Sequence, residues 1–451
     1  MTDHIALKNL LEFTRDGEWG KGEPTPDHVE MAVIRGTDFA AVRAGDLSSI
    51  PRRYIASKAA ERKTLQPGDV LIETAGGTKD QPTGRTVYLN ERIFAASDVP
   101  ITCASFSRFL RVKSNIIDPR YLFWYLQSIY TTGEMLPYHI QHTGVARFQY
   151  TDFASQWQVP VPDIARQIEI ADSLSTIDDK IELNRRMNET LEAIAQAIFR
   201  DWFVDFGPTR RRIEGATDPV AILGGLIPDP EKAAPLAAMF PAAFGDDGLP
   251  QGWEDRPFVS FLDIIGGGTP KTKISEYWDG DIPWFSVVDT PPKGGVFVRS
   301  TEKTITKKGL AESSARLIPI GTTIITARGT VGNIAMAARD MVFNQSCYAL
   351  RAQAPVGDRF VYLATERMVQ RLQAMAHGSV FSTITRATFE SLTFPWVGEN
   401  LFEKFEELLE PVFDKINANG QENETLEETR DLLLPKLMSG EIRLRDAEAT
   451  N

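Results

Sequence analysis

The chain is short of the residues that most chemistry needs. Among its 451 residues there are two cysteines, Cys103 and Cys347, and five histidines. Two cysteines build no disulfide framework, and with no CxxC pair there is no zinc signature. No HExxH or His/Cys cluster is present. Gly266-Gly267-Gly268-Thr269-Pro270 lacks both the P-loop Lys-Ser/Thr and dinucleotide-binding spacing. The Asn-Pro-Pro-aromatic tetrapeptide of adenine methyltransferases is missing, as is any helicase or nuclease motif. No apolar run approaches the ~20 residues of a membrane span, and Met1-Thr2-Asp3-His4 lacks the order of a signal peptide. These absences predict an intracellular, cytoplasmic protein with reduced thiols, no membrane contact, no metal and no catalytic centre.

The net charge of −12 opposes nucleic-acid binding if taken whole, but it is unevenly spread. Residues 1–160 carry 18 basic and 18 acidic groups, and 251–397 carry 16 and 13. Residues 161–206 carry 5 and 10, and 398–451 carry 6 and 14. The acidity thus lies in two stretches that read as helices. The slight excess of base in 251–397 is a weak phosphate footprint, so a more basic partner is expected to share phosphate contacts.

The chain repeats itself. Asp179-Lys180-Ile181 returns as Asp414-Lys415-Ile416, and Asn188-Glu189-Thr190-Leu191-Glu192 as Asn423-Glu424-Thr425-Leu426-Glu427, both at an offset of 235. Pro67–Ile72 resembles Ile320–Ile325. A period this long is a duplicated unit, not a solenoid. Steps of four and three from Ile170 give Leu174, Ile177, Ile181, Asn184, Asn188, Leu191, Ala195, Ile198 and Trp202. The same steps at the offset give Phe405, Leu409, Val412, Ile416, Asn419, Asn423, Leu426, Arg430, Leu433 and Leu437. Both are heptad seams with paired Asn at matched places, where a buried Asn fixes register at a cost in stability. One helix packed along the other is expected, against the plainer reading of two independent amphipathic helices. Pro411 and Gly420 predict a kink, or a second helix that begins only near Pro411.

The blocks between read as mixed α/β, with strands at Asp69–Glu73, Phe109–Val112, Thr323–Thr326 and Cys347–Leu350. Helices are expected over Pro119–Ile129 and Arg359–Met375. Residues 207–250, rich in Pro, Gly and Ala, read as a linker. Its Arg210-Arg211-Arg212 is a solvated charge run or, alternatively, a DNA arm. The expected order is domain 1–162, helix 163–206, linker 207–250, domain 251–397, helix 398–445.

The loops of both blocks combine glycine, hydroxyl, amide and cationic residues, the set that lets backbone approach phosphate and side chains reach base edges. In the second block these are Thr269, Lys271, Lys273, Ser286, Arg328, Gly329, Thr330, Asn333, Asn344, Gln345, Ser379 and Thr383. In the first they are Thr74, Gly77, Thr78, Lys79, Arg85, Arg108 and Arg147. Arg328, flanked by glycine after a strand, has the geometry to meet a guanine edge, or else forms a structural ion pair. Asn344 and Gln345 suit adenine. Tyr277, Trp278 and Trp284 read as core before they read as stacking platforms.

At these residues the chain resembles the specificity subunits of type I restriction–modification systems. Gly267–Pro270 followed by Glu276–Trp284 carries the resemblance, with Ala327–Gly332, Asn344–Ser346, Leu249–Trp253, and the helix ends Ala197–Phe203 and Leu434–Ile442. The first block departs from it, keeping only Val33–Asp38 and the Pro-Gly-Asp segment. The resemblance implies a fold of two similar α/β target recognition domains separated by two long helices packed as an antiparallel coiled coil with a pseudo-twofold. It also implies double-stranded DNA as ligand and assembly with two modification (methyltransferase) subunits that bind S-adenosylmethionine. Restriction subunits that use ATP and Mg would join them, these cofactors belonging to the partners. A helix from Ile177 to Trp202 is about 39 Å long at ~1.5 Å per residue, near the ~34 Å of one DNA turn. Two short read segments around unread base pairs are therefore expected. An adaptor that binds only protein would account for the helices but not for the duplicated loops.

Overall fold

The computed structural model describes residues 3–77, 81–141, 145–292, 294–375 and 383–443. Thr78, Lys79 and Ser379 lie outside these residues. The chain forms two compact units, Met1–Glu182 with Thr425–Asn451, and Leu183–Glu424.

In the first unit a four-stranded sheet runs in the order Leu11–Asp16, Ser107–Val112, Val70–Glu73, Thr86–Tyr88. Beside it, His28–Ile34 pairs antiparallel with Arg52–Ala56 and parallel with Ile101–Cys103. The second unit repeats this plan. Its larger sheet runs Leu262–Gly266, Cys347–Ala352, Thr323–Thr326, Ile334–Ala337, with Phe297–Val298 added at the edge. Trp278–Phe285 pairs antiparallel with Lys303–Ile305 and parallel with Val342–Phe343. The central strands Val70–Glu73 and Thr323–Thr326 are buried along their whole length, and apart from Glu73 they consist of Val, Leu, Ile and Thr, residues that suit a strand.

Two long helices, Ile164–Phe203 and Glu399–Ser439, each contribute a part to each unit. Within the first unit Ile170 and Leu174 share a core with Leu434 and Leu437, and Arg430 Nη1 donates to Asp178 Oδ1 at 2.7 Å. Within the second, Asn184 Nδ2 donates to Asn423 Oδ1 at 2.9 Å and Asn419 Nδ2 to Asn188 Oδ1 at 2.8 Å. Rising numbers on one helix meet falling numbers on the other, so the pair is antiparallel. Across the repeat, 184 corresponds to 419 and 188 to 423. Each Asn therefore meets the counterpart of its neighbour, the exchange that a local twofold requires. Ile181, Ala195, Ile198, Ile416 and Leu437 are buried and Ile177, Leu191, Val412, Leu426 and Leu433 half-buried.

Two expectations need correction. The second helix does not begin at Pro411 but runs through it and through Gly420. Pro411 and Glu407, whose carbonyl the missing N–H would have met, are both exposed, so water can satisfy the oxygen. Gly420 is a docking hole: a Cβ there would lie 2.4 Å from Nη1 of Arg299, whose guanidinium bonds the Asn417 carbonyl. Nor is 207–250 a bare linker. It forms helices Gly207–Ile213, Pro219–Ile222 and Pro230–Ala237, and buries Ile222, Leu223, Leu236 and Phe240 in the second unit's core. Arg211 is tied to Asp201 through two bonds of 2.9 and 2.6 Å, and Arg210 to the Asp205 carbonyl. The arginine triplet is thereby largely structural.

Candidate nucleic-acid interface

Strand register decides where the loops go. In the second unit Gly266 pairs with Tyr348, Thr326 with Cys347, and Phe285 with Phe343. The loops that follow Gly266, Phe285 and Thr326 thus leave beside the turn Asn344–Ser346. Four backbone bonds knit them together. Gly268 N donates to Phe343 O (2.9 Å), Asn344 N to Phe285 O (2.9 Å), Ala327 N to Ser346 O (2.8 Å) and Ile384 N to Ala327 O (3.0 Å). Segments as far apart in sequence as Gly268 and Ile384 so become one surface.

The first unit uses the same bonds. Glu18 N donates to Cys103 O (2.7 Å), Ala104 N to Ile34 O (2.8 Å), Thr74 N to Phe106 O (2.8 Å) and Phe148 N to Thr74 O (2.9 Å). The duplication is thus sharper in the loop anchors than in the loop sequences.

Within the second unit's cluster the aromatic residues are the bed and the polar ones the surface. Tyr277 and Trp284 are buried. Trp284 Nε1 donates to Gly268 O at 3.1 Å and Trp278 Nε1 to Lys271 O at 3.3 Å, the two indoles meeting edge to face. Gly267 passes so close to the neighbouring turn that a Cβ would lie 2.0 Å from Asn344 O. Lys271, Lys273, Arg328, Gly329, Thr330 and Gln345 are exposed, and Thr269, Asn333 and Asn344 half-exposed. Among the described residues Arg328 has no ion-pair partner. Thr269 Oγ1 bonds the Gln345 side chain, and Asn344 Oδ1 accepts from Ser346 N at 2.9 Å. Ser286 Oγ is turned inward to Asp289 Oδ2 at 2.9 Å. Thr383, exposed, stands beside the Ile384 anchor.

The first unit places its candidates differently. Arg147 is exposed in Ala146–Phe148, and Thr74 and Gly77 line the loop after Glu73. Arg85 and Arg108 are occupied: Arg85 pairs with Glu73 (2.9 and 2.6 Å) and Arg108 with Asp16 (2.9 and 2.8 Å), the latter guanidinium lying over the Tyr150 ring. The Glu73 hydrogen bond raises the Arg85 pKa further. Sequence reasoning passed over Val288, 71% exposed in the turn after Phe285, and Trp19, whose ring carries Arg53 at 4.6 Å. Phe106, 57% exposed, stands on the turn that matches Asn344–Ser346. Burial raises both thiols to about 12, far from a nucleophile's range. Among the described residues no group of three or more His, Cys, Asp or Glu is placed to hold a metal, and no helix is long and apolar enough to cross a membrane.

Residues 37–193 and 250–428 match the family described as the type I restriction modification DNA specificity domain. The chain belongs to that family. It is 29% identical over 416 residues to the type I restriction enzyme HindI specificity subunit of Haemophilus influenzae, covering 84% of this chain and 88% of that one. It is 29% identical over 181 residues to the MjaIX specificity subunit of Methanocaldococcus jannaschii, covering 40% and 42%. The type I system S subunit from M. genitalium has the same fold, with a TM-score of 0.53 at 13% identity over 97% and 96% of the two chains. As a specificity subunit the chain serves DNA recognition; the second matched segment holds all four anchors of its loop cluster, and the first holds all but the Glu18 and Ile34 ends of its own.

Proposed function

We propose that this specificity subunit reads a bipartite target in double-stranded DNA, one half with each loop cluster, and docks two modification subunits along its long helices. The observation that carries the reading is the recurrence of the four backbone anchors, which hold exposed loops at the same strand ends in both units. Two copies of one reading device on one chain are suited to two separated sequences. In the second unit Arg328 is the candidate for a guanine edge and Lys271 and Lys273 for phosphate; the amides of Asn344 and Gln345 have the pattern that adenine offers. In the first, Arg147 and the loop after Glu73 take this role.

Methyl transfer belongs to the modification subunits with their S-adenosylmethionine, and cleavage to restriction subunits with ATP and Mg. The chain's own work is to place them, in the cytoplasm, on chromosomal DNA. The test is to express the complex in a methylation-free host and map methylated adenines across the genome. Two short specified blocks around a fixed unread gap are expected. A single uninterrupted block, or methyl transfer by the isolated chain, would overturn the proposal.

A further inference from the structure

The ends of strands Val70–Glu73 and Thr323–Thr326 are counterparts, yet they close their loops by different chemistry. In the second unit the Thr326 amide donates to Asn333 O at 2.9 Å. Its hydroxyl, fully buried, accepts from Asn333 N at 3.0 Å and donates to Thr330 O. One side chain thus pins the short loop Ala327–Gly332. In the first unit the same backbone positions hold Glu73 and Arg85, the Glu73 amide donating to Arg85 O at 2.8 Å. Here eleven residues, 74–84, separate the two anchors in sequence, against six, 327–332, in the second unit. The Glu73 carboxylate is 3% exposed and takes both Nε and Nη2 of Arg85, itself only 21% exposed. It also presses on the Arg35–Asp38 turn, where a Cβ on Gly36 would lie 2.6 Å from Oε1. Tyr130 holds the returning limb by donating to Pro82 O at 2.8 Å.

We infer that Glu73 and Arg85 are the positioning pair of the first reading loop, so that Arg85 sets the specificity of one half-site without touching a base. The inference rests on the loops being the DNA-reading surface. A longer loop has more conformations to exclude than a short one. A bidentate, desolvated ion pair excludes them because breaking it strands a buried carboxylate. The guanidinium that would read a base is spent on Glu73, and its fork is held between the loop's two ends.

The test uses the full chain with its modification subunits, and reads methylation at cognate sites against sites altered by one base in either half. Glu73→Gln and Arg85→Asn are each expected to cost about tenfold in discrimination in one half only, the scale of a coupled pair losing one member. The other half and the gap stay unchanged. The double variant Glu73→Thr/Arg85→Asn, which removes the buried carboxylate together with its partner and so leaves no stranded charge, is expected to recover most of that loss. A double variant no better than Arg85→Asn alone would mean that Arg85 contacts DNA, and would overturn the inference. So would single variants as selective as the parent, or equal blurring of both halves with a fall in unfolding temperature. A parent complex with an undivided target would instead overturn the underlying reading, and shows itself before any variant is made.

Discussion

Asn419 donates its side-chain amide to Oδ1 of Asn188 at 2.8 Å across the antiparallel helix pair, with both residues buried. Removing one partner leaves the other's amide desolvated and unmatched. Asn188→Ala is therefore expected to destabilise the chain by about 1–3 kcal/mol, and Asn188→Leu/Asn419→Leu to be neutral or stabilising while loosening register. Urea unfolding of the three proteins checks the order. A single variant as stable as the parent would show that the contact fixes nothing.

Arg328 and the two lysines are expected to fail in different ways. Arg328→Ala should relax preference at one target position, at a cost of about 1–3 kcal/mol. Lys271→Ala and Lys273→Ala should weaken every sequence alike and lower the slope of log K against log salt by about one each. Binding titrations of the assembled complex on cognate and single-mismatch DNA at several salt concentrations separate the two. Uniform loss for Arg328→Ala would remove it from base readout.

The heptad seams were legible because a rule of sequence spacing, with an offset that repeats, needs no knowledge of the partner. The central strands were legible as short runs rich in β-branched and aliphatic residues. The helices of 207–250 were not, since segments of four to eight residues are too short for a 3.6-residue period to stand out among Pro, Gly and Ala. Arg85 illustrates the limit at the interface. Its residue type and loop position suit DNA, but the burial of Glu73 beneath it is a tertiary property that no local pattern encodes. The loop anchors escaped for a similar reason, being backbone groups that any side chain can accompany.

The Glu366 carboxyl is raised to about 7, first by burial and then by the nearby charge of Glu192; Gln196 and Gln370 oppose the shift. Glu192, which accepts from the Tyr362 hydroxyl at 2.8 Å, is raised as well. The folded state therefore keeps a proton that the unfolded chain releases near pH 4.5. The stability this confers is complete on the acid side, declines as pH rises towards 7, and is gone above it. Glu366→Gln is expected to raise the unfolding midpoint at pH 8 by about 2–4 °C and to change it little at pH 5. Melting curves across that range check it. A variant that tracks the parent at every pH would rule out the strained carboxyl.

Leu183, Met187 and Ile194 are 55, 36 and 43% exposed on the first long helix, at spacings that put them on one face beside the Asn seam. Exposed substitutions of this kind move stability within about 0.5 kcal/mol. Leu183→Glu/Met187→Glu is accordingly expected to fold like the parent while losing co-purification with a modification subunit. Retained co-purification would place docking elsewhere.

On the proposed bipartite reading, the helix pair would also set a length. Seven residues add two turns and about 10 Å to a helix, and they keep the seam in phase only if both members are extended together. Pairing partners on the two helices sum to about 607, as 188 and 419 do, so an insertion after Ile194 is matched by one before Phe413. With both insertions the unread gap is expected to grow by about three base pairs at ~3.4 Å each, while the specified bases stay the same. Three base pairs also turn the duplex by about a third of its helical repeat, so the longer target should be bound more weakly than the parent target. Inserting in the first helix alone moves Ile198 and Trp202 off their buried positions and should instead cost stability. Methylome mapping of the single and paired insertions decides the matter. An unchanged gap with both helices extended would mean that the pair does not measure the DNA.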